Sequence, residues 1–166
     1  RRECSATSSG NLEWYLENCM ENEKIPEGEN IYSVVNAKVA SVKPEECDVY
    51  FLPFLYGSNA HPLGKGAFIG LTTYHNKAHM LRAIYEGVVF SHKTHIERLL
   101  LSRERPEAIR MAGGAANSEV WVQMFADILG FPIETVDAKE LGALGCGMAA
   151  AIAAGVYKDI LGFPIE

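Results

Sequence analysis

The chain has 166 residues, of which 48% are hydrophobic and 22% charged, with a formal net charge of -6 and a pI near 5.4. This length and composition fit one globular domain with a single core and leave little room for a second domain. The net negative charge does not favour binding to nucleic acid or to an anionic membrane. No apolar run approaches the ~20 residues that span a bilayer.

The N-terminus and the cysteines favour the cytoplasm. Residues 1–5 (RRECS) lack the apolar stretch of a signal peptide. Cys4, Cys19, Cys47 and Cys146 are scattered, with no CxxC pair and no Cys/His cluster at zinc spacing. We therefore expect a cytoplasmic protein with reduced, structural cysteines and no metal ligands of its own.

The first half of the chain alternates short apolar segments with loops. Residues 5–20 predict a loop that leads into a short helix, and the charged stretch 21–30 predicts a solvated loop. Residues 34–40 fit a helix or an extended segment, and the pattern does not distinguish the two. Short apolar runs at 50–55 and 67–71 predict strands.

The longest predicted element is an amphipathic helix. From residue 75 to about 101 apolar residues recur at helical spacing. A short strand at 108–112 then runs into two glycines and a further helix. Asn117 or Ser118 is the natural N-cap of that helix, and Gly130 is its natural C-terminal stop.

The end of the chain combines a strand, a small-residue helix and a repeat. We predict a strand at 131–136 and, over 140–155, a Gly- and Ala-rich helix whose backbone lies very close to a neighbour. The octapeptide DILGFPIE occurs at 127–134 and again at 159–166, and nothing flanking the two copies matches. We interpret the second copy as a cloning or recombination scar, which leaves 1–158 as the predicted domain.

Gly113 and Gly114 stand at a strand-to-helix junction that suits a nucleotide. Glycines let the backbone approach a ligand, and the first-turn amides of the following helix offer free donors to an anion. The same pattern also makes an ordinary tight turn before a capped helix, so the residues alone leave both interpretations open.

Other candidate groups point to structural roles. His75 and His79 have the four-residue spacing of two zinc ligands, but no third ligand accompanies them, so we expect a solvated helix face. Glu86 is expected to be a partly buried structural carboxylate. Aromatic residues at helical spacing predict core positions: Trp14, Trp121 and Phe125.

The stretch GAFIGLTTYHNKAHMLRAIYE (66–86) resembles the second signature of FGGY carbohydrate kinases. It has the small residue, the apolar residue, Gly-Leu, a seven-residue spacer, and then the His, Ala, aromatic and acidic positions in order. Four flanking blocks, 8–14, 51–62, 112–130 and 140–155, are also similar to the C-terminal domain of that family. The likeness is to the xylulokinase and L-xylulose kinase branch.

This resemblance implies an α/β, actin-like (ribonuclease H-like) ATPase domain, with a mixed sheet flanked by helices. The domain would be the C-terminal half of a two-domain sugar kinase that phosphorylates a pentulose such as xylulose or L-xylulose. The sugar site and the catalytic Asp would lie in an N-terminal domain outside this chain. We therefore expect the chain to be inactive alone and to hold no catalytic residue. A non-catalytic nucleotide- or protein-binding module of the same fold is the alternative.

The resemblance also implies two nucleotide-contacting loops. The adenosine-binding loop contains Gly113, Gly114, Asn117 and Ser118. The second loop contains Gly10, Asn11 and Glu13. Which of Asn117 and Ser118 touches the nucleotide stays open. The implied partners are ATP, with Mg²⁺ bound through its phosphates, and a sugar; nucleic acid and membrane are not expected, and a homodimer stays open.

Overall fold

The computed structural model describes residues 8–58, 61–136 and 141–162. Cys4 and the last four residues of the repeated octapeptide lie outside the described residues. The helices and strands follow one another as α1 (Gly10–Cys19), α2 (Ile31–Ala40), β1 (Tyr50–Leu52), β2 (Ala67–Ile69), α3 (Lys77–Leu100), β3 (Ile109–Met111), α4 (Glu119–Leu129), β4 (Ile133–Thr135) and α5 (Leu141–Ala153). Short 3-10 turns lie at Pro44–Glu46, Gly114–Asn117 and Ile160–Gly162.

The strands of the described residues form two separate pairs rather than one mixed sheet. β1 and β2 are antiparallel, with Phe51 opposite Phe68. β3 and β4 are parallel, because α4 carries the chain back to the end of the sheet where β3 begins. Arg110 lies opposite Glu134 in this pair, and its Nη2 atom is 3.0 Å from the Glu134 Oε2 atom.

Helix α3 is the centre of the core and packs against α2, α4 and β1. Its apolar stripe is almost fully buried: Leu81, Ile84, Tyr85, Val88 and Val89. The Oδ1 atom of Asn76 accepts a hydrogen bond of 2.9 Å from the Ala78 amide and so caps the helix. The helix therefore begins two residues later than the apolar spacing indicates.

Gly87 lets α3 lie directly against β1. A Cβ atom at this position would overlap the Phe51 carbonyl oxygen and would also lie 3.3 Å from the Phe51 side chain. Because a backbone oxygen cannot rotate away, the close approach of α3 and β1 requires a residue without a side chain here.

Helix α4 has the boundaries that its sequence predicts. Ser118 caps its N-terminus, with the Ser118 Oγ atom 3.3 Å from the Trp121 amide nitrogen. Gly130 ends it in the left-handed conformation at a φ of 67°. Trp121 and Phe125 are buried as expected.

Trp14 is not a core residue, so that prediction is wrong. Its side chain is 38% exposed, because α1 buries the stripe formed by Leu12 and Tyr15 and leaves Trp14 outside it. The segment left undecided at 34–40 is helical. It belongs to α2, whose first turn is held by a capping box between Asn30 and Ser33.

Helix α5 lacks the close neighbour that its small residues predict. In the part of the chain described here, no atom of another element lies within 4 Å of a Cβ added at Gly142, Gly145 or Gly147. Small side chains allow close packing but do not supply the partner, so that prediction is wrong for the described residues. None of the described helices is long and apolar enough to cross a membrane.

Candidate functional site

A cavity of about 570 Å³ lies between helices α1, α2 and α4. We call it the interhelical cavity. Its volume is within the range of roughly 300–1,000 Å³ that small-molecule sites occupy. It is lined by Ser9, Leu12, Glu13, Asn30, Tyr32, Ser33, Asn36, Tyr85, Gly114, Ala115, Asn117, Ser118 and Trp121.

Both predicted nucleotide loops reach this cavity. Glu13 comes from the first loop, and Gly114, Asn117 and Ser118 come from the second, about a hundred residues later in the chain. The remaining three predicted residues, Gly10, Asn11 and Gly113, are not among the lining residues but adjoin residues that are. The fold thus brings the two loops to one place.

The first predicted loop is helical in the structure, because Gly10, Asn11 and Glu13 all lie at the start of α1. Gly10 and Asn11 belong to the packing of this helix end. Asn11 is fully buried, and its Nδ2 atom donates a hydrogen bond of 3.1 Å to the Ser8 carbonyl. Its Oδ1 atom has no hydrogen-bond partner among the described residues. A Cβ atom on Gly10 would lie 3.2 Å from the ring of Tyr56. These two residues therefore shape the N-terminus of α1 and present no side chain to the cavity.

Gly113 and Gly114 form the open edge of the second loop. Gly113 has a φ of 96°, a conformation that favours glycine. Its carbonyl accepts a hydrogen bond of 3.0 Å from the Ala116 amide, which closes the 3-10 turn. No atom lies within 4 Å of a Cβ added at Gly114, and the φ of Gly114 is not positive. A side chain at position 114 would therefore extend into open space at the cavity.

Asn117 and Ser118 differ in what their side chains can offer. Ser118 is 6% exposed, and its hydroxyl accepts from the Trp121 amide and donates to the Asn36 Oδ1 atom at 2.7 Å. Asn117 is exposed, and its side chain makes no hydrogen bond with any described residue. The Ser118 hydroxyl thus already makes two hydrogen bonds within the protein, whereas the side-chain amide of Asn117 makes none with a described residue.

Helix α2 contributes a wall that the sequence analysis missed. Asn30, Tyr32, Ser33 and Asn36 all line the cavity. The Asn30-x-x-Ser33 capping pair could have located the start of the helix. Asn36 is the one uncharged polar residue in the run VVNAKVA, which also contains Lys38, and this pattern could then have indicated it as a candidate.

The floor of the cavity is a stacked aromatic pair. The rings of Tyr85 and Trp121 are 4.1 Å apart at an angle of 18°, and the Trp121 Nε1 atom donates to the Tyr85 carbonyl at 3.2 Å. Burial raises the pKa of Tyr85 to about 12. Its hydroxyl is therefore protonated at neutral pH and donates to the Asn36 Oδ1 atom at 2.9 Å.

The two histidines lie outside the cavity in structural roles. His75 precedes α3, and its side chain is 6% exposed, with the Nε2 atom 2.7 Å from the Asp48 Oδ1 atom. The prediction of a solvated helix face is therefore wrong for His75. His79 lies in the first turn of α3, with its Nδ1 atom 3.1 Å from the capping Asn76. No group of three His, Cys, Asp or Glu among the described residues could hold a metal ion.

Glu86 is the structural carboxylate that the sequence predicts. Its Oε1 atom accepts a hydrogen bond of 2.7 Å from the Arg82 Nε atom. Burial raises the pKa of the Glu86 carboxyl, an effect that the nearby Arg82 partly offsets. Arg82 in turn donates to the Val42 carbonyl and so ties α3 to the segment after α2.

Comparison with known proteins places the chain among sugar kinases. Residues 2–154 match the FGGY family of carbohydrate kinases, C-terminal domain. The chain is 44% identical over 155 residues to the L-xylulose/3-keto-L-gulonate kinase of Escherichia coli, covering 93% of this chain and 30% of that protein. It is 41% identical to a probable L-xylulose kinase of Haemophilus influenzae, covering 89% of this chain and 29% of the relative.

Solved structures show the same fold. The xylulose kinase of Rhodospirillum rubrum matches with a TM-score of 0.72 and 26% sequence identity, over 89% of this chain and 29% of that one. This likeness confirms the predicted α/β, actin-like ATPase fold. The chain spans about three tenths of the length of these relatives.

Proposed function

We propose, because the chain belongs to the FGGY family of carbohydrate kinases, that it forms the ATP-binding part of an enzyme that transfers the γ-phosphoryl group of ATP to a sugar hydroxyl. The observation that carries this proposal is the interhelical cavity, where both predicted nucleotide loops meet. The similarity to L-xylulose and xylulose kinases favours a pentulose as the sugar.

Adenine and ribose suit this cavity. Tyr32, which is exposed, and the half-buried Ala115 supply apolar surface for a planar base. Glu13 and Asn117 are exposed polar side chains on the same cavity, and we assign them to the ribose hydroxyls. The open space above Gly114 would let the backbone of the 3-10 turn approach the nucleotide.

The other predicted residues would support these contacts. Gly10 and Asn11 shape the N-terminus of α1, Gly113 makes the turn, and Ser118 caps α4. We therefore assign ligand contact to Asn117 rather than to the Ser118 side chain.

Phosphoryl transfer also needs a sugar pocket and a carboxylate that accepts the hydroxyl proton. The chain covers 30% of its E. coli relative, so we place both groups in residues beyond these 166. We further propose that Mg²⁺ is bound through the ATP phosphates and the rest of the enzyme.

The first expected result is that the 166-residue chain binds ATP. Isothermal titration calorimetry should show one site, and adenosine and ADP should compete for it because the cavity holds the base and ribose. Tripolyphosphate is the control ligand and should not compete. Absence of ATP binding, or displacement of ATP by tripolyphosphate alone, would contradict the assignment of the cavity to the nucleoside.

The second expected result is that the chain alone does not phosphorylate a pentulose, because the proton acceptor and the sugar pocket lie elsewhere. A coupled assay for ADP should show no increase on addition of xylulose or L-xylulose. The L-xylulose kinase of E. coli, run in the same assay, provides the positive control. Pentulose-dependent ADP formation by the chain would show that the complete catalytic site is present in it.

A further inference from the structure

Asn36 has an amide group whose orientation is set by its neighbours. Its Oδ1 atom accepts from the Ser118 hydroxyl at 2.7 Å and from the Tyr85 hydroxyl at 2.9 Å. The Ser118 oxygen also accepts from the Trp121 amide. The Asn36 amide thus has its carbonyl oxygen toward the two hydroxyls and its Nδ2 group on the other side.

The donor side of Asn36 has no partner among the described residues. The Nδ2 group carries two N–H donors, and no described residue accepts from it. Asn36 is half-buried and lines the interhelical cavity. The cavity thus has a donor whose direction is fixed by α3 and α4, although the residue itself belongs to α2.

The residues that hold Asn36 are buried and are themselves held by other contacts. Tyr85 is 1% exposed and stacked on Trp121, which is 2% exposed and bonded to the Tyr85 carbonyl. Ser118 is held by its role as the cap of α4. A donor positioned in this way loses little conformational freedom when a ligand arrives, so it can contribute to selectivity.

We propose that Asn36 determines base selectivity at this site by donating its Nδ2 hydrogen to an unprotonated ring nitrogen of adenine. The inference rests on the proposed function, because it requires ATP in the interhelical cavity. A site built to hydrogen-bond one group of its ligand rejects an analogue that lacks that group. Adenine offers three such acceptors, at N1, N3 and N7.

The test combines ligand analogues with a variant of the chain. ATP and its 1-deaza, 3-deaza and 7-deaza analogues, each of which replaces one ring nitrogen by CH, are titrated into the wild-type chain by calorimetry. One analogue should bind about threefold to tenfold more weakly than ATP, the loss typical of one neutral hydrogen bond. Asn36→Asp keeps the Oδ1 acceptor and removes the Nδ2 donor. In this variant the ratio of the dissociation constant of that analogue to the dissociation constant of ATP should fall to about one.

The control variant is Asn30→Asp, which adds the same charge at the same cavity. Asn30 accepts from the Ser33 amide through Oδ1, and aspartate can keep this cap. In both variants the added charge weakens the binding of ATP and of its analogues by the same factor. The ratio of their dissociation constants therefore reports only the contact made by Asn36. In Asn30→Asp the wild-type ratio should remain.

The titrations test the role of Asn36 separately from ATP binding by the chain. If wild-type chain binds ATP but discriminates against none of the three analogues, or if Asn36→Asp keeps the wild-type ratio, the role of Asn36 is overturned while the proposed function stands. If the chain does not bind ATP at all, the proposed function fails, and the inference fails with it.

Discussion

Replacing Gly114 by Asp is expected to weaken ATP binding by at least about tenfold while leaving the fold intact. Gly114 lies at the edge of the interhelical cavity, with no atom within 4 Å of an added Cβ and without a positive φ. The backbone can therefore accept the side chain without strain. The carboxylate would occupy the space where the backbone should meet the nucleotide and would repel its phosphates.

Calorimetry with ATP, together with the urea midpoint of each variant, checks this prediction. Gly114→Ala separates the effect of bulk from that of charge and should weaken binding less. Gly147→Asp places the same charge on α5, which does not line the cavity, and should leave the affinity near that of the wild type. An unchanged affinity in Gly114→Asp would remove the second loop from the nucleotide site.

Replacing Gly87 by Ala is expected to destabilise the fold by about 1–3 kcal/mol, as overpacking of a filled core does. The new Cβ would overlap the Phe51 carbonyl oxygen, so α3 and β1 would have to move apart. Alanine stabilises a helix by about 0.5–1 kcal/mol relative to glycine. The measured loss of stability is therefore the cost of overpacking minus this gain.

Urea denaturation that follows both the midpoint and the m-value measures the effect. The matched control is Gly147→Ala, the same substitution in the middle of α5, where no atom lies within 4 Å of the new Cβ. This variant should show no loss of stability. Equal stability of Gly87→Ala and the wild type would mean that α3 and β1 are not held at this distance in solution.

The residues of the candidate site were only partly predictable. The glycine pair, Asn117 and Ser118 follow from the strand–turn–helix pattern and the family resemblance. The second hydrogen bond of the Ser118 hydroxyl depends on the Asn36 side chain, which reaches it from α2. A contact between residues 82 positions apart has no signature in a single sequence.

The exposure of Trp14 and the lack of a close neighbour at the α5 glycines among the described residues also show that a single sequence does not reveal tertiary contacts. Helical spacing places Trp14 on a helix but does not say which stripe faces the core. The glycines of α5 permit close packing, yet the partner must come from elsewhere in the fold.

The sequence by itself determined the features that depend on neighbours along the chain. These include the amphipathic α3, the Ser118 cap and Gly130 stop of α4, and the family signature at 66–86. Helix periodicity and caps act over three or four residues, so a short window contains the whole cause.

Only the tertiary structure decided what each segment packs against, as the repeated octapeptide shows. In the first copy, residues 127–129 end helix α4, and Ile128 packs against the core. In the second copy, residues 160–162 form a 3-10 turn, and Ile160 is 61% exposed. Identical residues take different structures because burial against a core, rather than local propensity, supplies most of the stability of a short helix. The interhelical cavity depends on such long-range packing in the same way.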